Sequence, residues 1–456
     1  MTAIVLGAGA TGLAAGLELR DRGVPVEVLE EAGRPGGKLA SRRVASQGAH
    51  GSPAAQGYLI ETGALGLLDR EGDLAPLAER LGLRLLPAHA GARWVQRDGQ
   101  VHQLPMSPPA LIGSGLFSVS EKLGLLREPW RRRSSAPSVR DFFEARLGPA
   151  GTFLADALQT GIYAGDPAQL ELASCFPQLA RLEASHGSLL RGLLAGRKEQ
   201  RKKLAGRNQQ RKPRATLSSF PGGLEDLVQG LAQALGPALR LGARVLSVQP
   251  GLRLQLEDGG IRSEVTARSL LVTLPAPAAA QVLEPLDPVL AARLRELTAA
   301  PLTLVHLGAA SVGPRARSFG LLSPGRPVAG TLFPAALWPG RAPEGRTLIT
   351  ALVGGARAPE AAALPDPELV DLVRTELSRT IGLTGPTELL GIVRWQEAIP
   401  QYTLGHAARV AEIDRLTALH PGLKLAGSWL RGVSVLDCLR EGRRIGRESA
   451  EAFKSC

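Results

Sequence analysis

The residues best placed to do chemistry stand near the N-terminus. Gly7, Gly9 and Gly12 fall at Gly-x-Gly-x-x-Gly spacing, with Ala10 and Thr11 between the last two. An apolar stretch, Thr2–Leu6, precedes them. A helical segment, Leu13–Arg20, follows, and a second apolar stretch, Val24–Glu30, ends on an acid. Strand, glycine turn, helix and strand in that order read as a dinucleotide-binding βαβ unit. Gly7 permits a tight turn, Gly9 lets the backbone approach a pyrophosphate, and Gly12 lets the helix pack close to the strand. The helix N-terminus directs free N–H groups at phosphate, and Glu30 is placed to accept hydrogen bonds from ribose hydroxyls. NAD and FAD both remain open at this point. In either case a cofactor carries the chemistry, and the rest of the chain must hold a substrate against it.

A second loop follows directly: Glu31-Ala32-Gly33-Arg34-Pro35-Gly36-Gly37-Lys38. It adds backbone donors and a cation near the phosphates, which a simple NAD dehydrogenase does not need. This arrangement resembles the Arg-x-Gly-Gly extension of the FAD-dependent amine oxidase superfamily and selects FAD. The other chemistry-bearing residue types are dispersed. The seven His show no metal-ligand spacing, so no metal site is expected. Neither a nucleophile elbow nor a Walker sequence is present. Flavin chemistry demands no catalytic acid or base, and His306 and His406 read as packing or hydrogen-bonding residues.

These loops need a scaffold that can hold two ligands. The chain has 456 residues, enough for two or three domains with sizeable cores. Cys175, Cys438 and Cys456 are odd in number and form no Cys-x-x-Cys pair, which suits a reducing compartment. Met1 runs straight into the first strand, so no signal or transit peptide is expected. No run reaches the ~18 uninterrupted apolar residues of a spanning helix. The nearest, Leu104–Val119, is interrupted by Pro105, Pro108 and Pro109 and stopped by Glu121 and Lys122. Much of the +12 net charge comes from Arg191–Arg214. In order of preference that run reads as a solvated segment, an anionic membrane surface or a nucleic-acid contact. No aromatics interleave it, so base stacking is not supported and no nucleic-acid partner is expected.

Residues 1–70 read as the βαβ unit plus loops, with Gly57–Gly63 a short strand ending near the cofactor. Residues 92–104 form a hairpin around Asp98-Gly99. Residues 105–210 are mainly helical. Within them Leu111–Leu126, followed by Trp130 and Arg131–Arg133, fits either a monotopic surface anchor or an ordinary helical domain. Strands follow over 239–248, 252–256 and 269–275. Residues 302–307, 318–322 and 347–353 belong to a separate, largely antiparallel sheet. Pro367–Ile381 is a helix with Asp366 as its N-cap. A late strand, Leu423–Gly427, and a helix from about Asp437 return to close the cofactor site.

Four segments, in order, resemble the protoporphyrinogen oxidase family. They are Leu158–Pro167 (Leu-Gln-Thr-Gly-Ile-Tyr-Ala-Gly-Asp-Pro), Leu217–Leu224 (Leu-Ser-Ser-Phe-Pro-Gly-Gly-Leu), Trp395 with Ile399–His406, and Gly427–Cys438. The resemblance spans essentially the whole chain and looks closest to the bacterial, oxygen-dependent form. It implies an α/β (α+β) protein in three parts. A Rossmann-like FAD-binding domain of p-hydroxybenzoate-hydroxylase type takes residues 1–75, 215–300 and 391–456. A mixed-sheet substrate-binding domain takes 76–104 and 301–390, and a helical membrane-binding domain takes 105–214. The implied reaction is the FAD-dependent, six-electron oxidation of protoporphyrinogen IX to protoporphyrin IX by O₂, releasing H₂O₂, in haem biosynthesis. Coproporphyrinogen III is the alternative substrate. The implied setting is cytoplasmic, peripheral on the inner membrane, with hand-off of product to ferrochelatase and a homodimer as further partners.

The resemblance also implies roles for single residues. Arg93 matches an Arg that pairs with a substrate propionate, a task suited to a guanidinium; its plain alternative is a surface hairpin Arg. Phe319 and Leu322 match apolar contacts of the macrocycle, and Leu332 and Trp338 match its sandwiching residues, against a reading of all four as core. Gly165 matches the loop near the macrocycle nitrogens. Val245 matches a residue whose backbone holds the adenine. Gly63, Trp395, Gly427, Gly432, Val433 and Val435 match positions around the flavin. One loop departs from the family: Gly63-Ala64-Leu65-Gly66-Leu67 stands where Gly-Pro-Asn-Ser-Phe is usual. That departure motivates a catalytically silent tetrapyrrole-binding flavoprotein as one alternative; an amine oxidase or desaturase is another.

Overall fold

Five parallel strands carry the glycine turn, in the order Leu239–Leu241, Val26–Glu30, Thr2–Leu6, Ile261–Val272 and Leu423–Leu425. The computed structural model describes residues 2–46, 57–89, 91–134, 136–192, 194–196, 216–310 and 312–454. Most of the basic run Arg191–Arg214, and Cys456, lie outside the described residues. The central strand Thr2–Leu6 and residues 270–272 of its neighbour are apolar on both faces, as a sheet covered on both sides requires. Ala3, Val5, Val28 and Leu271 point into one core, while Ile4, Leu6, Leu29 and Leu270 point into the other. Helices Ala10–Asp21, Glu225–Leu235 and Val435–Lys454 build the first core. Helices Ala276–Leu283, Pro288–Arg295 and His406–Thr417 build the second. The strand Ile261–Val272 is long enough to serve two partners. Its first half pairs antiparallel with Arg253–Asp258, which in turn pairs with Ala243–Gln249.

A second sheet of seven strands runs Thr387–Pro400, Ala299–Ala309, Thr347–Gly354, Val328–Leu332, Gly320–Leu322, Arg93–Arg97 and Gln100–Gln103. Neighbours are antiparallel except Gly320–Leu322 against Arg93–Arg97. Helix Asp366–Ile381 packs on it through Leu369, Val373 and Leu377. Two expected domain limits move. Thr387–Pro400 pairs along its length with Ala299–Ala309, so residues 391–400 belong to the second sheet. Residues 74–85 pack into the first core through Leu74 and Ala78, so only the 93–103 hairpin joins the second sheet. The N-cap of helix Asp366–Ile381 is Pro365; the Asp366 carboxylate pairs with Arg394 at 2.6 Å instead.

Helices over 108–186 form a third region, held at its centre by Arg146 and Glu128, both fully buried. The guanidinium donates to the Glu128 carboxylate and to the carbonyls of Arg131, Arg132 and Gly187. The carboxylate also accepts from the Ser188 hydroxyl and the Leu189 and Leu190 amides. A buried ion pair is tolerated when its remaining hydrogen-bonding capacity is met in this way.

Candidate cofactor and substrate cavity

The parallel strands end at a cavity of about 850 Å³, at the upper end of the roughly 300–1,000 Å³ common for small-molecule sites. The carboxyl ends of such strands are where α/β sheets bind ligands. One side is walled by the glycine turn, the second loop and the start of the C-terminal helix. The other side is walled by the second sheet.

Gly7, Gly9, Ala10 and Thr11 line the first side. No side chain caps helix Ala10–Asp21, so its first-turn N–H groups are left for an anion. A Cβ placed on Gly9 would meet no atom within 4 Å; the backbone there faces open space that a diphosphate can enter. Gly12 is different. It does not line the cavity, and a Cβ on it would stand 1.8 Å from the Gly7 carbonyl oxygen. Its part is packing helix against turn. Glu30 lines the wall with its carboxylate anchored by the amides of Ala8 at 2.7 Å and Ala32 at 3.0 Å, leaving lone pairs for ribose hydroxyls.

Glu31, Gly36, Gly37 and Lys38 line the same side. Arg34, expected near the phosphates, braces its own loop. It donates to the carbonyls of Pro35, Gly37 and Leu39 at 3.1, 2.7 and 3.2 Å, and so holds the Gly36-Gly37 backbone to the cavity. The Lys38 ammonium ties this loop to the second sheet by donating to the carbonyls of Glu397 and Ala398. Burial draws its pKa below the ordinary lysine value, although the neighbouring Glu397 opposes the shift. Val245 lines the wall beside a β-bulge that interrupts the ladder between Val245 and Ser247; such bulges re-aim backbone groups. Gly63, Gly427, Val433 and Val435 complete this side, with Gly432 one residue behind it, and Trp395 lines the cavity from the second sheet. The Trp395 indole donates to the Thr62 carbonyl at 2.6 Å, and Trp429 donates to the Leu274 carbonyl at 2.9 Å. The two rings thereby fix neighbouring loops.

Glu61, Cys438 and His306, on or behind the walls, are also shifted by burial. Glu61 accepts from the Ser41 hydroxyl at 2.7 Å and the Leu224 amide at 3.2 Å, with Arg341 at 4.0 Å. Burial nevertheless pushes its pKa up to about 7. The Cys438 thiol is pushed up to about 11, again by burial, so it is not a thiolate at neutral pH. His306 sits behind Thr350, with Nδ1 3.0 Å from the threonine hydroxyl, and burial pulls it down to about 4. Its ring is neutral, and it supports a wall residue.

The second half of the cavity is walled by Ile162, Leu302, Leu304, Leu332, Thr350 and Leu352. Of the expected substrate residues only Leu332 lies on this wall. Trp338 is 1% exposed, donates to the Leu86 carbonyl at 2.8 Å and packs against Gly66. It is a core residue with no ring face left for a macrocycle. Leu322 packs against Gly161 and the Val95–Leu116–Phe117 cluster, not into the cavity. Gly165 is buried one layer back, where a Cβ would stand 2.6 Å from the Gln401 side chain. Phe319 carries the exposed Arg93, whose guanidinium lies 4.7 Å above the ring centroid. Strand register sets Arg93 opposite Gly320 and Gly320 opposite Leu332. Arg93 is therefore two strand spacings, roughly 10 Å, from the cavity wall. Leu302, Leu304 and Leu352 escaped the sequence reading because a leucine in a strand carries no mark of whether it faces a core or a cavity, and the same holds for Ile162 at the end of helix Pro149–Ile162.

The residues present fit FAD: an open glycine cradle, an anchored acid on the adjoining strand, a second glycine loop, and a cavity that runs on past them. The family model for flavin containing amine oxidoreductases matches residues 10–448. Coproporphyrinogen III oxidase of Bacillus subtilis (strain 168) is 29% identical, over 96% of each chain. The mitochondrial protoporphyrinogen oxidase of Nicotiana tabacum is 30% identical, over 96% of this chain and 92% of the relative. A crystal structure from Exiguobacterium sp. 255-15 superposes with a TM-score of 0.79 at 23% identity, covering 99% of each chain. Cyclohexylamine oxidase from Brevibacterium oxydans IH-35A gives 0.69 at 18% identity, again over 99% of each. The glycine cradle, the mixed α/β architecture and the full-length match together make this chain a member of the flavin containing amine oxidoreductase family, with FAD as its cofactor.

Proposed function

We propose that this FAD-dependent oxidoreductase oxidises a porphyrinogen to its porphyrin with O₂ as acceptor, in haem biosynthesis. The observation that carries the reading is the cavity itself: beyond the cofactor cradle it continues into a half walled by leucines, Ile162 and Thr350. Such a wall suits a flat-edged apolar macrocycle and excludes water from it. FAD, when bound, supplies the electron acceptor. The chain's residues hold the ring carbon against it, and Arg93, roughly 10 Å from Leu332, is the residue proposed to pair with a carboxylate at the ring edge. The names of the relatives support porphyrinogens over amines and leave both protoporphyrinogen IX and coproporphyrinogen III as substrates to be tried. The test is purified holoprotein with each porphyrinogen, following porphyrin fluorescence and O₂ uptake. Turnover above autoxidation supports the reading. FAD-loaded protein with no turnover of either substrate supports the silent flavoprotein instead.

We propose in addition that the 105–214 region is a membrane-binding domain at the cytoplasmic face of the inner membrane. In helix Val119–Leu126 the side chains of Val119, Leu123 and Leu126 are exposed, with Trp130 beyond them, 77% exposed. Val119, Leu123 and Leu126 fall at i, i+4 and i+7, one stripe of the helix, and Trp130 ends the short 3-10 turn Glu128–Trp130 that follows. Arg127 and Arg131–Arg133 flank it, the composition of an interfacial anchor. No helix among the described residues is long and apolar enough to cross a membrane. Co-sedimentation with phosphatidylglycerol vesicles, lost on Leu123→Glu with Leu126→Glu, tests the proposal. The p-hydroxybenzoate-hydroxylase subtype belongs to the same reading, supported by the five parallel strands with their antiparallel extension. So do a homodimer and product hand-off to ferrochelatase, to be tested by light scattering and pull-down.

A further inference from the structure

Tyr402 follows the last residue of the strand Thr387–Pro400 by two positions and is 1% exposed. Its hydroxyl makes two hydrogen bonds, both to one loop. It accepts from the Gly432 amide at 2.6 Å and donates to the Ser428 carbonyl at 2.6 Å. That loop continues from the parallel strand Leu423–Leu425 and leads into helix Val435–Lys454. It lines the cavity through Gly427, Ser428, Trp429 and Val433. Gly432 holds φ at +116°, and a Cβ there would stand 2.6 Å from Asp437. The loop conformation is therefore one that few other residues could adopt, and it is held from outside.

The tyrosine ring is fixed in its turn. His406 stacks on it with centroids 4.1 Å apart and planes 13° from parallel, and Tyr163 lies against it at 5.6 Å. The His406 Nε2 is 3.1 Å from the Leu430 carbonyl, so a second side chain of the same segment holds the middle of the loop. Burial pushes the Tyr402 hydroxyl well above the ordinary tyrosine value, and it remains a donor. The preceding residue reaches the other way. Gln401 donates to the Tyr163 carbonyl at 2.8 Å, next to Ile162 on the substrate wall and Ala164, which holds a left-handed φ of 46°. Adjacent residues thus grip the two walls of one cavity.

We infer that Tyr402 is a positioning residue, whose hydroxyl sets the Ser428–Gly432 backbone on the cofactor side of the cavity while Gln401 fixes the facing substrate wall. This rests on FAD in the cavity and not on the identity of the substrate. Wild-type protein that binds FAD yet oxidises no porphyrinogen would remove the proposed substrate and leave this inference standing.

Tyr402→Phe keeps the ring and its stacking and removes only the hydroxyl. The readouts are the dissociation constant for FAD, titrated into apoprotein, and the visible spectrum and reduction potential of the bound flavin. The expected result is at least fivefold weaker FAD binding with a shifted spectrum and potential. His406→Phe, which keeps the stack and loses only the bond to Leu430, shifts the same readouts in the same direction by less. It decides the matter if Tyr402→Phe does not fold. Cys175→Ala is the control, because its thiol touches the Tyr402 carbonyl at 3.9 Å and not the loop; it leaves all three readouts at wild type. The inference is overturned if both aromatic variants bind FAD within twofold of wild type with an unchanged spectrum. It is also overturned if Cys175→Ala moves the readouts as far as Tyr402→Phe does, since the effect would then be general loosening.

Discussion

Replacing Gly9 by alanine separates cofactor binding from folding more cleanly than any other single change in the cradle. Gly9 has φ −70° and ψ −179°, a conformation open to any L-residue, and its added Cβ would meet no atom within 4 Å. The apoprotein should therefore tolerate the change. Restricting the unfolded chain should even stabilise it by about 0.4–1 kcal/mol. FAD should not tolerate it, because the methyl occupies the space through which a diphosphate approaches the backbone. Overpacking of that kind costs about 1–3 kcal/mol, and the midpoint, about 2 kcal/mol, corresponds to roughly 30-fold in Kd. At an FAD concentration near 100 times the wild-type Kd, the ligand adds about 2.7 kcal/mol to wild-type stability. A variant weakened roughly 30-fold would gain only about 0.9 kcal/mol under the same conditions. Denaturant unfolding with and without FAD reads both quantities. The apo variant should be at least as stable as wild type, and the holo variant less stable than its wild-type counterpart. Gly12→Ala is the contrast. Its Cβ would meet the Gly7 carbonyl at 1.8 Å and the Thr273 hydroxyl at 2.7 Å, so it should weaken the fold whether or not FAD is present. If Gly9→Ala destabilises the apoprotein, or binds FAD like wild type, the cradle has been misassigned.

Three further outcomes follow from the site. Trp338→Ala should cost about 3–5 kcal/mol of stability, measured by urea unfolding; a raised KM with stability intact would return Trp338 to the substrate. Arg93→Ala should raise KM roughly 10-fold, about 1.4 kcal/mol, with kcat little changed, and an unchanged KM in steady-state kinetics would remove Arg93 from substrate binding. Glu61→Gln should flatten the pH dependence of stability. The folded pKa is raised from 4.5 to about 7, so the folded state binds more protons than the unfolded chain between those values. Stability from this group is present in full below pH 4.5 and is lost as pH rises through about 7, on the order of 3 kcal/mol in all. Melting curves from pH 5 to 8 should show wild type falling relative to the variant; parallel curves would mean that Arg341 already holds Glu61 ionised.

Much of the cofactor side was legible because it is local. Gly7, Gly9, Glu30, Gly36 and Gly37 lie within one short stretch, and their spacing dictates a turn, a helix start and a strand end before any long-range contact forms. The alternation in Arg93–Gln103 and the Asp98-Gly99 turn made that hairpin readable for the same reason. The limits of the second sheet were less legible. Thr387–Pro400 could pair with either unit, and only its ladder to Ala299–Ala309 decided which.

By itself, the sequence determined the βαβ cradle and the order of the elements, since each is written in the spacing of neighbours along the chain; the flavin class came from the resemblance of the Arg34–Gly37 loop to the amine oxidase superfamily. Tertiary structure decided which apolar residues became walls and which became core. Leu332 reached the cavity and Trp338 did not, although the two stand close in sequence, because strand Val328–Leu332 and the helix after it face different surroundings. It also decided that Tyr402 reaches across to Gly432. A hydrogen bond between residues far apart in the chain depends on how separate elements pack, and no local pattern records that.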